Sequence, residues 1–142
     1  RLVIGIAGNL SGAKGARVAE ALSHRLGRDL VVLGRTDPAC RLHRAARIHG
    51  GYALADLPDL TRHYGITTWL VPSICPETFS YTTQECLMTG LPVITFDLGA
   101  QGEAVRSAAK GIALPIPAQG PASDAAVDAI LRAARDAPPP PG

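Results

Sequence analysis

Aromatic side chains are scarce in this chain of 142 residues, at 4% of the composition. Its basic residues are therefore not interleaved with stacking platforms, and the pattern of a nucleic-acid binder is missing. No run of about 18 apolar residues occurs, so no segment reads as a membrane-spanning helix. The first residues do not read as a signal peptide. The chain opens at Arg1 without an initiator Met and is read as a piece of something longer. Cysteine is limited to Cys40, Cys75 and Cys86, with no Cys-x-x-Cys pair, so neither a zinc site nor a disulfide framework is indicated. A reducing, cytoplasmic setting is the simplest expectation. Cys75 and Cys86 lie in or beside apolar segments and are expected to pack rather than react. His24, His43, His49 and His63 show no metal-ligand spacing. Asp97 has no second Asp two positions away, so no metal is expected. There is no internal repeat.

What the chain does have is 46% hydrophobic residues, 15 glycines and 12 prolines. That is enough for one domain with a core, and too apolar for disorder. The formal charge of +2 is unevenly spread. Residues 1–50 hold nine Lys/Arg against three Asp/Glu, and residues 51–142 hold five against nine. A basic N-terminal half favours an anionic ligand; the alternative is a set of scattered, solvated arginines. Arg41, Arg44 and Arg47 read as a solvated basic edge, with contact to anionic lipids or a lipid-phosphate acceptor as a second reading.

Short apolar runs alternate with amphipathic stretches. Strands are expected at Leu2–Ala7, Leu30–Leu33, Arg47–His49, Thr67–Val71, Pro92–Phe96 and Ile112–Leu114. Helices are expected over Lys14–Leu26, Cys40–Ala46, Asp56–Tyr64, Ser80–Thr89, Ala100–Ala108 and Asp124–Arg135. Pro58 fits the first turn of its helix, Gly90 closes another, and Ser123 can cap the last. Trp69 falls in a strand and reads as core. Pro115–Pro121 reads as a turn region, and the proline tail at 138–142 cannot continue a helix. Strict alternation predicts an α/β, Rossmann-like, doubly wound parallel sheet of about six strands, with helices on both faces. Continuous apolar strands fit double cover. Ligands of such sheets bind beyond the carboxyl ends of the strands.

Three segments at those ends carry chemistry. Gly8-Asn9-Leu10-Ser11-Gly12-Ala13-Lys14-Gly15 follows the first strand. Its glycines allow close approach to an anion, and Lys14 and a helix start point to the same place. It is neither a Walker loop nor G-x-G-x-x-G; the plain alternative is a turn with an exposed lysine. The second segment, Pro72 to Glu85, holds Glu77 and Glu85 in an E-x7-E spacing. Glu77 falls in a loop and Glu85 in the helix, where a carboxylate can accept both hydroxyls of a ribose. The amides of Ser80, Tyr81 and Thr82 fall at the helix N-terminus, suited to a diphosphate. The plain alternative is two surface glutamates. The third segment runs from Gly90 to Glu103, and Glu103 suits a helix start whether or not it binds anything.

Together the stretches PSICPETFSYTTQE, GLPVITFD and GAQGE resemble the signature of the "group 1" family of retaining glycosyltransferases with the GT-B fold. At a finer level they look closest to members that assemble bacterial surface polysaccharides. The resemblance implies that residues 1–137 are the donor-binding half of a hexosyltransferase-type glycosyltransferase. Such an enzyme moves a sugar from a nucleotide diphosphate sugar to a hydroxyl acceptor, with retention and without a metal. It implies that Lys14 holds the diphosphate, Glu77 positions the donor sugar and Glu85 holds the ribose, with Lys14 and Glu77 in the catalytic roles. The amides of Ser80, Tyr81 and Thr82, after the motif's Phe79, would take the phosphates. Gly8 and Asn9 border the same loop, Gly51 and Tyr52 the base, and Gly34 and Arg35 the same rim. Asn9 stands where the family usually has an arginine, and Thr78 and Ser80 replace the small residues usually flanking the phenylalanine.

The partners implied are a nucleotide-sugar donor, an N-terminal acceptor-binding domain absent from this chain, and a membrane-surface or lipid-linked acceptor. No nucleic acid is expected. The setting is cytoplasmic, at the inner face of the membrane for a lipid-linked acceptor, and the fragment alone is expected to be inactive. Two other readings stay open: a sugar-nucleotide epimerase-like domain and a non-catalytic nucleotide-binding module.

Overall fold

A computed structural model describes residues 1–78 and 80–137. Phe79 and the proline tail at 138–142 lie outside the described residues. Six strands are present among the described residues: β1 (Ile4–Ala7), β2 (Leu30–Leu33), β3 (Arg47–Gly50), β4 (Thr68–Val71), β5 (Val93–Phe96) and β6 (Gly111–Leu114). The α-helices are α1 (Ala16–Leu26), α2 (Leu57–Tyr64), α3 (Tyr81–Met88), α4 (Gly99–Arg106) and α5 (Asp124–Asp136). The sheet runs in the order β3-β2-β1-β4-β5-β6, and every pairing is parallel.

Residues of β1, β2, β4 and β5 are buried throughout, because both faces of the sheet are covered. Alternate side chains feed two cores. Ile4, Ile6, Leu30, Val32, Ile94 and Phe96 pack with Val18 and Leu22 of α1 and with Val127, Ile130 and Leu131 of α5. Val3, Ala7, Val31, Leu33, Trp69 and Val93 pack against Leu57 of α2, Cys86 of α3 and Val105 of α4. Trp69 is fully buried, as a core residue should be, and its indole N–H donates to Thr89 Oγ1 at 2.9 Å. Gly5 leaves room for it: a Cβ there would stand 2.7 Å from the Trp69 ring.

One expected helix is absent. Residues 40–46 form an irregular loop with a turn at 44–45 rather than a helix. The Asp37 carboxylate accepts from the Ala39 N–H at 2.8 Å, making a local turn. The backbone amide of Arg41 then donates to Glu20, and that of His43 to Ser23 Oγ at 2.8 Å. Side chains of α1 thus take amides that a helix would have used internally. Arg47, on the edge strand β3, is half-buried and engaged rather than freely solvated. Its guanidinium lies 5.5 Å from the Tyr64 ring centroid, and its Nε donates to the Arg28 carbonyl at 2.9 Å. Arg41 and Arg44 are exposed.

Candidate functional site

The strand order reverses between β1 and β4, since the chain builds outward on either side of them. A crevice opens there at the carboxyl ends of the strands, where open α/β sheets place ligands. The first loop, after β1, holds Lys14 in a turn ahead of α1 rather than on the helix itself. Gly15 explains why. Its φ is 89°, and a Cβ would stand 2.0 Å from the Pro72 carbonyl oxygen. Only glycine lets this turn lie against the loop after β4. The contact is fixed further by the Ile74 N–H, which donates to the Ala13 carbonyl at 3.1 Å.

Packed in this way, the two loops bring Lys14 Nζ onto Glu77 Oε1 as an ion pair. Both groups border a cavity of about 340 Å³, together with Gly8, Asn9, Ser11, Ser73 and Thr82. Gly8 and Asn9 also line an adjoining hollow with Gly34, Arg35, Gly51 and Tyr52. Asn9 does not point a cation at the cavity; its Oδ1 accepts from the Arg35 N–H at 3.0 Å and pins the exit of β2. The Arg35 guanidinium lies over Gly51, whose Cβ would be 3.5 Å from Nε.

The α3 residues divide. Thr82 stands over Gly8, with its Oγ1 3.2 Å from where a Gly8 Cβ would be. Ser80 is buried and caps α3: its Oγ lies 2.6 Å from Thr83 Oγ1 and accepts from the Thr83 N–H at 3.3 Å. Tyr81 is exposed. Glu85, one turn beyond Thr82, borders a separate hollow with Leu54, Leu57 and Met88. Its charge reaches Tyr52: burial first, and Glu85 second, push the phenol up to about 12. Of the expected residues, Gly8, Asn9, Lys14, Glu77 and Thr82 share one hollow and Gly34, Arg35, Gly51 and Tyr52 line the adjoining one; Ser80 and Tyr81 line neither, and Glu85 borders a third. Phe79 lies outside the described residues.

The cysteines separate too. Cys86 is buried, and burial and then Glu85 push its thiol up, which makes it a packing residue. Cys75 does not pack as expected; it lies exposed in the loop after β4. Asp97 pairs with Arg106, and Glu103 is exposed on α4. Among the described residues, no three His, Cys, Asp or Glu side chains converge as metal ligands do. Nor, among them, is any helix long and apolar enough to cross a membrane.

Gln101 belongs to the site although its residue type and position do not announce it. It lies on α4 yet is fully buried, and both ends of its side-chain amide bond to the loop that carries Glu77. Nothing in its neighbourhood, Gly99-Ala100-Gln101-Gly102-Glu103, marks the position as buried.

No protein-family model matches the sequence, and no curated protein matches it. Solved structures do match. Anabaena HepE, solved in complex with UDP, superposes with a TM-score of 0.65 at 20% identity, over 92% of this chain and 39% of its own. Sucrose-phosphate synthase from Thermosynechococcus elongatus gives 0.65 at 20% identity, over 92% and 36%. AviGT4, a glycosyltransferase involved in avilamycin A biosynthesis, gives 0.57 at 20% identity, over 99% and 44%. These neighbours are GT-B glycosyltransferases. The chain has the fold of one GT-B half. It spans about two fifths of the length of those neighbours. Within this GT-B half, the Lys14–Glu77 crevice occupies the carboxyl ends of β1 and β4.

Proposed function

We propose that this chain binds a nucleotide diphosphate sugar and serves as the donor-binding half of a retaining glycosyltransferase. The observation that carries the proposal is the convergence of Lys14 and Glu77 at the point where the strand order reverses. A cation and a carboxylate brought together from loops 63 positions apart suit a ligand with an anionic middle and a hydroxylated end. In this reading Lys14, with the first-turn amides of α3, takes the diphosphate. Its main service in transfer is to stabilise the departing diphosphate. Glu77 then orients the sugar.

The nucleoside runs along the rim toward Tyr52, with the ribose hydroxyls on Glu85. Thr82 and Glu85 are three residues apart on α3 and so share a face, which supports this order of parts. Arg35 returns a guanidinium to the rim from which Asn9 has removed one. The finer parts of the reading are a hexosyl donor, an acceptor-binding half elsewhere, and a hydroxyl acceptor on a lipid or at a membrane surface. A cytoplasmic site and a role in polysaccharide assembly belong with them. No metal enters the proposed mechanism.

The engagement of Asn9 with the Arg35 amide favours one further reading, a module that binds nucleotide without transferring sugar. Incubating the full-length protein with radiolabelled nucleotide sugars separates the readings. Transfer to an acceptor with retained anomeric configuration supports the glycosyltransferase. An epimerised donor, or binding with no turnover, contradicts it.

A further inference from the structure

Glutamine is seldom fully buried, and when it is, its amide is satisfied by hydrogen bonds. Gln101 has no exposed surface, and both of its observed bonds reach the loop after β4. Its Nε2 donates to the Cys75 carbonyl at 2.9 Å, and its Oε1 accepts from the Glu77 N–H at 3.1 Å. Only this orientation of the amide satisfies both partners, since one is an acceptor and the other a donor. The two bonds straddle Pro76, which has no N–H of its own to anchor the turn. The neighbouring residue completes the grip: the Ala100 N–H donates to the Glu77 carbonyl at 2.9 Å. Glu77 is thus held by α4 at both of its backbone polar atoms. The close approach requires Gly99, where φ is 47° and a Cβ would stand 2.7 Å from the Glu77 nitrogen.

We propose that Gln101 is a positioning residue for Glu77: by clamping the backbone on either side of Pro76, it aims the Glu77 carboxylate at Lys14 and the cavity. Its consequence for sugar binding rests on the donor reading above; its consequence for Lys14 does not.

The chain has only two lysines, Lys14 and Lys110, so amine acylation reads the clamp without a ligand. The ligand-free chain is treated with N-hydroxysuccinimidyl acetate, and the rate at each lysine is followed by peptide mass spectrometry. Loss of the exposed ion pair should speed acylation of Lys14 by about two- to fivefold. Gln101→Met should raise the Lys14 rate to that of Glu77→Gln, with Lys110 unchanged. The double variant should be no faster than either single one. A folded Gln101→Met with the wild-type Lys14 rate overturns the proposal, because a purely structural glutamine would lower stability only. If Gln101→Met fails to fold, Gln101→Asn is read in the same way, being too short to span both partners.

Calorimetry with UDP and UDP-glucose forms the second arm. Gln101→Met should weaken UDP-glucose relative to UDP. If the wild type binds neither, the donor reading is what fails, and the Lys14 rates still decide the role of Gln101.

Discussion

Lys14 and Glu77 form an ion pair across the mouth of the crevice between β1 and β4. In this pair Glu77 occupies the cation that the proposed diphosphate would need. A ligand phosphate must displace it. Half of the Lys14 side chain is exposed, so the pair is solvent-screened and weak enough to exchange.

Glu77→Gln should therefore split two affinities that would otherwise move together. Binding of a bare nucleoside diphosphate should tighten by about two- to fivefold, because Lys14 is released. Binding of the corresponding diphosphate sugar should weaken, because its orienting carboxylate is gone. Paired titrations with UDP and UDP-glucose check both. Equal shifts in the two would place Glu77 outside the sugar site.

Gly5→Ala tests the packing beneath the crevice. The added methyl would stand 2.7 Å from the Trp69 ring and 2.8 Å from Ile66 Cδ1. Trp69 is tied to Thr89 and has little freedom to retreat. The expected loss is about 1–3 kcal/mol, as for other overpacked cores. Urea unfolding measures it as a lower midpoint at unchanged slope.

Ser123→Ala is the matched distant control. Ser123 Oγ accepts from the Ala126 N–H at 3.2 Å and caps α5, away from the crevice. Its removal should cost about 1 kcal/mol of stability. Nucleotide affinity, measured on the folded chain, should not change.

How much of this was legible in the sequence follows from what each feature depends on. The strands were readable because runs such as Leu30–Leu33 are apolar without interruption, a consequence of cover on both faces. Lys14 and Glu77 were readable as candidates by residue type and loop position. Their meeting was not, because it depends on Gly15 lying against Pro72, a contact between distant segments. The loop at 40–46 has the local pattern of a helix, and that pattern cannot show that Glu20 and Ser23 will capture the amides. Gln101 escaped notice for a related reason. Its burial is set by the loop after β4, not by neighbours in sequence.

The rim residue Tyr52 gives a pH signature. Its phenol rises from the ordinary 10.0 to about 12 in the folded chain, so the native state holds a proton that the unfolded state has released. That contribution is complete below pH 10 and is lost as pH rises toward 12. Cys86, pushed up by burial, acts in the same direction. Tyr52→Phe should flatten the decline in stability between pH 10 and 12 while leaving the contribution of Cys86. An unchanged profile would mean that Tyr52 is not held away from water as described.

A crevice that holds a nucleoside diphosphate, as proposed, is best probed by titrating the chain calorimetrically with UDP, GDP, ADP and dTDP, and repeating the series with Lys14→Ala and Glu85→Ala. Saturable binding of one nucleotide, weakened by both substitutions, is expected, and it identifies the base. Binding that ignores Lys14, or no binding to any of the four, would contradict the proposal.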